Sequence, residues 1–182
     1  DAQQALLAAN LALTVAASRT GTRIELGGAE GDLVAARRDL LRRQEQVKAA
    51  LTERRFVLFA QPIVPLSGVA GGLHCEILLR LREPSGAILA PGHFMHAAER
   101  AQLTGAIDRY VIEELLGWLA AHPHAAARLE KCAINLTGWS VSDPELAPWI
   151  RTMVQRHGIA PHKLCFEITE SQAIASREHA RR

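Results

Sequence analysis

One run, Leu73–Leu81 (LHCEILLRL), restricts the fold more than any other stretch of the chain. It is apolar enough for a strand inside a sheet, yet it carries Glu76 and Arg80. Side chains on a strand alternate between faces. Glu76, Leu78 and Arg80 therefore share one face, and Cys75, Ile77, Leu79 and Leu81 share the other. An acid and a base on one face of an aliphatic strand are costly unless they are paired or bound to something. An internal ion pair, a register that lets Arg80 reach water, or a ligand would each meet that demand.

Composition limits what such a strand can belong to. At 182 residues the chain has room for one ordinary domain or parts of two. Its hydrophobic content of 48% is enough to bury a core. With 21 basic and 19 acidic residues the net charge is +2, which leaves no electrostatic footprint for duplex nucleic acid. Aromatic residues are 4%, too few for a platform that stacks single strands, so no nucleic-acid polymer is expected as a partner. No apolar run approaches the ~20 residues of a membrane span. The apolar start, DAQQALLAANLALTVAASRT, lacks the basic n-region of a signal peptide. Cys75, Cys132 and Cys165 are odd in number and show no CxxC spacing, which argues against a disulfide framework or a zinc knuckle. Each lies in an apolar strand-like run and reads as a small hydrophobe in a reducing, cytoplasmic setting. His93 and His96 are spaced to share a helix face, but without a third ligand nearby they read as solvated.

In chain order, residues 3–18 read as a helix, with Leu7, Leu11 and Val15 on one stripe and Gly21 as its stop. A short strand, Thr22–Leu26, follows, and then Gly27, Gly28 and Gly31 break the chain. Residues 32–53 read as a charged helix with Asp32 as its N-cap. Leu33, Leu40 and Val47 recur every seven residues there, as in a connecting helix or the short coiled coil of a dimer; a single amphipathic helix with a solvated face fits as well. A domain boundary is placed here, with a new domain from about Leu51. That domain reads as a strand Phe56–Val64, limited by Pro62 to an end or edge position, then the strand Leu73–Leu81. Next come a short helix Pro91–Arg100 and a longer one Gly105–Ala121, with Ile107, Val111, Leu115 and Trp118 on its stripe. A strand Lys131–Leu136 leads to a helix starting at Ser142-Asp143-Pro144-Glu145, whose buried face is Leu146, Trp149, Ile150, Met153 and Val154. His157-Gly158 ends that helix, and Lys163–Thr169 is the last strand.

Alternating strands and helices predict a parallel α/β architecture, in which chemistry sits at the C-terminal ends of strands. Asn135 and Glu167 fall late in strands, and Glu76 lies on the strand described first. Two carboxylates and an amide oxygen suit a hard cation such as Mg²⁺ or Mn²⁺. The alternative is that Asn135 caps a loop while Glu167 and Glu170 are simply solvated.

Five segments then occur in a telling order: QPIV (Gln61–Val64), EILLRL (Glu76–Leu81), PGHFMHAAERAQLTGAIDRYVI (Pro91–Ile112), INLT (Ile134–Thr137) and FEITES (Phe166–Ser171). Together they resemble the first part of an EAL domain, the cyclic di-GMP phosphodiesterase family. The likeness runs from about Leu51 to Ser171, and Ile77 stands where the name of the signature has alanine. That residue faces away from Glu76. The resemblance implies a (β/α)₈ barrel of modified, TIM-like kind. It implies that Glu76, Asn135 and Glu167 are metal ligands for Mg²⁺ or Mn²⁺, that Arg80 contacts a phosphate of cyclic di-GMP, that Gln61 lies near the ligand, and that Glu170 steadies a loop beside the metals. The implied reaction is hydrolysis of one phosphodiester bond to linear pGpG.

The first segment, 1–31, resembles the last helix and strand of a GGDEF domain, although the GGDEF signature itself is absent. The expected organisation is therefore 1–31 as a GGDEF-like remnant, 32–50 as a helical connector, and 51–182 as the N-terminal part of an EAL domain. A full barrel takes ~250 residues. The family's later motifs, namely paired aspartates, a catalytic lysine and a late glutamate, are missing from the chain. The expectation is a piece of a larger GGDEF–EAL signalling protein, cytoplasmic or membrane-anchored, that hydrolyses nothing alone. The parent would act as a phosphodiesterase or, as the alternative, as a receptor that senses the nucleotide without cutting it.

Overall fold

The computed structural model describes residues 30–66 and 71–168, with side chains from residue 35 onward. The expected helix at 3–18, the strand at 22–26, the GGDEF-like segment apart from its last two residues, and Glu170 lie outside the described residues.

The charged helix is α1 (Glu30–Thr52). It begins before Asp32, which sits in the first turn and not at the cap. The last turns are buried: Val47 and Ala50 are fully enclosed in the same core as Phe56 and Tyr110, while Leu41 is 53% exposed. Arg43 Nη1 donates to the His93 carbonyl at 2.9 Å, a second tie to the domain. The chain then turns sharply through Arg54, a non-glycine residue at φ +52°. Its guanidinium lies over the Tyr110 ring, 5.2 Å from the centroid, and pairs with Glu114.

The sheet contains β1 (Phe56–Ile63), β2 (Leu73–Arg82), β3 (Ile88–Leu89), β4 (Leu129–Asn135) and β5 (Leu164–Glu167). Its main order is β1-β2-β4-β5, with β3 paired to the end of β2. β2, β4 and β5 run parallel as expected, but β1 is antiparallel to β2. The connection, residues 64–72, is too short for the crossover of a dozen or more residues that a parallel pair needs, so the chain reverses instead. β1 is the edge strand that Pro62 required.

Helices α2 (Met95–Arg100), α3 (Thr104–Ala121), α4 (Pro123–Arg128), α5 (Gly138–Val141) and α6 (Leu146–His157) complete the described chain. Cys75, Ile77 and Leu81 from β2 and Cys132 and Ile134 from β4 are buried in one core with Ile107, Ile112 and Leu116 from α3 and Met153 and Val154 from α6. This confirms the alternation read from the LHCEILLRL run: one face of β2 meets the helices, and the other carries Glu76 and Arg80. The expected helix at 91–100 splits into a 3₁₀ turn, Pro91–His93, and α2, so His93 and His96 lie on separate elements. Trp118 was expected on the buried stripe of α3 but is 51% exposed and stacks on His122; the stripe ends on Leu119. α6 starts at Leu146, later than expected. Asp143 Oδ1 accepts the Glu145 N–H at 2.9 Å, closing a side-chain turn before the helix begins. Gly158 stops α6 at φ +66°, a conformation that suits glycine.

Candidate cation and phosphate site

The face of the sheet away from the helices gathers the polar residues. Gln61 on β1 is directly opposite Glu76 on β2. Glu76 is level with Ala133 on β4, and Asn135 follows two residues later on the same face. Asn135 is directly opposite Glu167, and each is the last residue of its strand. Four adjacent strands thus each place one oxygen-bearing side chain in a row. The row is tied at its centre: Asn135 Nδ2 donates to Glu76 Oε1 at 2.8 Å across two parallel strands. Glu76 is half-buried, whereas Gln61, Asn135 and Glu167 are exposed. Glu76 lies in the middle of β2, since that strand runs on past the end of β4.

Arg80 shares the face with Glu76 but lies four residues further along β2, about 13 Å at the rise of a strand. Its guanidinium sits over the Phe59 ring at 5.6 Å, and Nη1 donates to the Leu79 carbonyl at 2.8 Å. Phe59 was not singled out from the sequence; its place two residues before Gln61 on an alternating strand was the signal available.

Asp108 was also missed. It is a carboxylate on the buried stripe of α3, between Ile107 and Val111, and is only 5% exposed. Its Oδ2 accepts the Thr137 backbone N–H at 2.8 Å and the Thr137 hydroxyl at 2.7 Å. Burial pushes this carboxyl up from its ordinary value, against the pull of the hydrogen bonds from Ser140 and Thr137.

The donor chemistry fits a hard divalent cation. The Asn135 amide meets Glu76 through its nitrogen, so its carbonyl oxygen is not used in that bond, and Glu167 is its register partner on the next strand. Among the described residues, no three His, Cys, Asp or Glu side chains cluster as a metal site, so the amide oxygen is needed to complete a set of three. Cys165 shares the face of Glu167, two residues before it on β5, whereas the other two cysteines take no part. Cys75 and Cys132 sit on the opposite face with sulfurs 3.8 Å apart, and burial, helped by Cys75, holds the Cys132 thiol protonated.

The family model of the EAL domain matches residues 44–182. The chain belongs to the EAL domain family. The match begins inside α1, in agreement with the burial of Val47 and Ala50 in the EAL core. The cyclic di-GMP phosphodiesterase PdeB of Shewanella oneidensis is 32% identical over 178 residues, which cover 97% of this chain and 21% of that protein. PdeF of Escherichia coli, also named a cyclic di-GMP phosphodiesterase, is 30% identical over 79% of this chain and 19% of its own length. The chain thus spans about a fifth of these curated relatives. Among solved structures, the EAL domain of FimX from Pseudomonas aeruginosa, bound to c-di-GMP, superposes with a TM-score of 0.66 at 32% identity. That likeness covers 76% of this chain and 54% of the FimX chain. The fold is therefore α/β of EAL type, with part of the barrel in view.

Proposed function

We propose that this EAL segment belongs to a cyclic di-GMP phosphodiesterase that opens its substrate to linear pGpG. The observation that carries the reading is the Asn135–Glu76 hydrogen bond, which joins hard oxygen donors from two parallel strands on the open face of the sheet. The names of PdeB and PdeF support it.

In this reading Glu76, Asn135 and Glu167 hold Mg²⁺ or Mn²⁺. A cation held there would supply Lewis-acid chemistry, favouring a hydroxide-like water and offsetting negative charge that builds on the phosphoryl oxygens. Arg80 offers a planar fork to a phosphate of the dinucleotide, and the Phe59 ring beneath it limits the planes that fork adopts. Gln61, opposite Glu76, presents a donor and an acceptor beside the ligand. Glu170 keeps the role of steadying the loop after β5. Residues 1–31 are the end of a GGDEF-like domain, 32–50 a connector suited to a signal helix or a homodimer whose last turns pack into the EAL core, and 51–182 the first part of the EAL domain proper. The likeness to PdeB over 97% of the chain extends well before residue 44, which supports a segment shared with that protein ahead of the EAL match. The same reading places the protein in the cytoplasm, with or without a membrane anchor elsewhere in the parent.

The deciding experiment uses the longer parent chain with Mn²⁺, following pGpG formation and nucleotide binding separately. The parent is expected to turn over cyclic di-GMP, and Glu76→Gln to lower turnover by about 100-fold or more, since even outer-shell changes cost 10–100-fold. Binding without turnover in the unsubstituted parent would favour the receptor reading instead, which the c-di-GMP-bound FimX domain keeps in view. The 182-residue chain alone is expected to give no turnover, in keeping with its likeness to about half of the FimX EAL chain.

A further inference from the structure

Two consecutive backbone amides fix the loop that follows Asn135. The Leu136 N–H donates to the Glu167 carbonyl at 2.8 Å, and the Thr137 N–H donates to Asp108 at 2.8 Å. One anchor is the strand carrying Glu167; the other is a buried carboxylate on a helix behind the sheet. Thr137 adds its hydroxyl to the same oxygen at 2.7 Å and lies 3.3 Å from the Ser140 hydroxyl, which is itself buried. A helix side chain thereby sets where β4 ends. The orientation of Asn135, and through its amide that of Glu76, follows from that end point.

A merely structural acid would be an odd choice here. Burying a carboxylate costs free energy unless it is fully hydrogen-bonded, and an apolar residue would fill this place on the α3 stripe without that cost. What an apolar residue does not supply is an acceptor for the Thr137 N–H and hydroxyl.

We infer that Asp108, acting through Thr137, is a positioning residue for the cation ligands Asn135 and Glu76. The assignment rests on the cation site proposed above. Its chemistry is that of outer-shell groups that orient metal ligands, which typically change affinity by 10–100-fold when removed.

The test measures Mn²⁺ affinity by calorimetry in the full parent chain, with folding checked by circular dichroism. Thr137→Val keeps the backbone donor and removes the hydroxyl, and it is expected to weaken Mn²⁺ binding by about tenfold; Thr137→Ser restores the donor and is expected to bind within about threefold of the parent. Asp108→Asn retains an acceptor oxygen in the same place and should also bind within about threefold, whereas Asp108→Ala should lose about tenfold or more. If Asp108→Ala fails to fold, the Thr137 pair decides the matter. Lowered thermal stability with unchanged Mn²⁺ affinity in Thr137→Val would overturn the positioning role and leave the cation site standing. Absence of Mn²⁺ binding in the unsubstituted parent would overturn the cation site and this assignment together.

Discussion

Asp108 shows how one residue can serve a site at the expense of its own solvation. Its carboxyl lies above the ordinary value of 3.8 because burial outweighs its hydrogen bonds. A raised acid takes up its proton more readily in the folded state. Its contribution to stability is therefore full below about pH 3.8 and is lost as pH rises through the raised value. Asp108→Asn has no proton to lose and so gains no buried charge as pH rises. The difference in melting temperature between Asp108→Asn and the unsubstituted chain should therefore grow in favour of the variant between pH 4 and pH 7, as read by thermal melts. A constant difference across that range would show that the carboxylate is not desolvated. At this scale the sequence was legible where oxygen-bearing side chains interrupt apolar strands, as at Glu76, Asn135 and Glu167. Asp108 also interrupts an apolar stripe, but its partner lies 29 residues away on another element, and local spacing does not report that distance.

Among the described residues, the longer elements were read correctly in kind and less well at their limits, and the short ones at Ile88–Leu89 and Pro123–Arg128 were not read. α1 has the period and charge of a connector, yet its last turns belong to the EAL core. Charged residues surround Val47 in sequence, so heptad spacing alone does not say whether the seam faces a second helix or the body of its own domain. Val47→Ala should cost about 2 kcal/mol in urea unfolding, because it opens a cavity in a closed core. Leu41→Ala on the same helix should stay within about 0.5 kcal/mol. Similar losses at both positions would mean that α1 packs along its whole length. Trp118 illustrates the opposite error. Helical spacing put a large aromatic on the buried stripe, while stacking on His122 holds it at the surface.

For the whole molecule, the open face of the sheet has the larger consequences. Phe59 and Ile63 stand on it at 49% and 55% exposure, at an edge strand, in a chain of nearly balanced charge. Apolar surface on an unpaired edge promotes association. The 182-residue chain should self-associate in light scattering at micromolar concentration, and Phe59→Ser with Ile63→Ser should shift it toward monomer. A monodisperse unsubstituted chain would argue against an exposed face of this kind. The class of architecture was legible because strands and helices alternate, whereas the reversal at β1 depended on the length of one connection.

The turn at Arg54 links α1 to the edge strand. From residue 32 to Thr52 the helix contains no glycine or proline, so nothing in its sequence introduces a kink. The helix leads into Arg54, held in a left-handed conformation against Tyr110 and Glu114, just before the strand that carries Gln61. An unbroken helix is thus fastened through a single bent residue to the margin of the sheet, so a substitution at that one joint would disturb both.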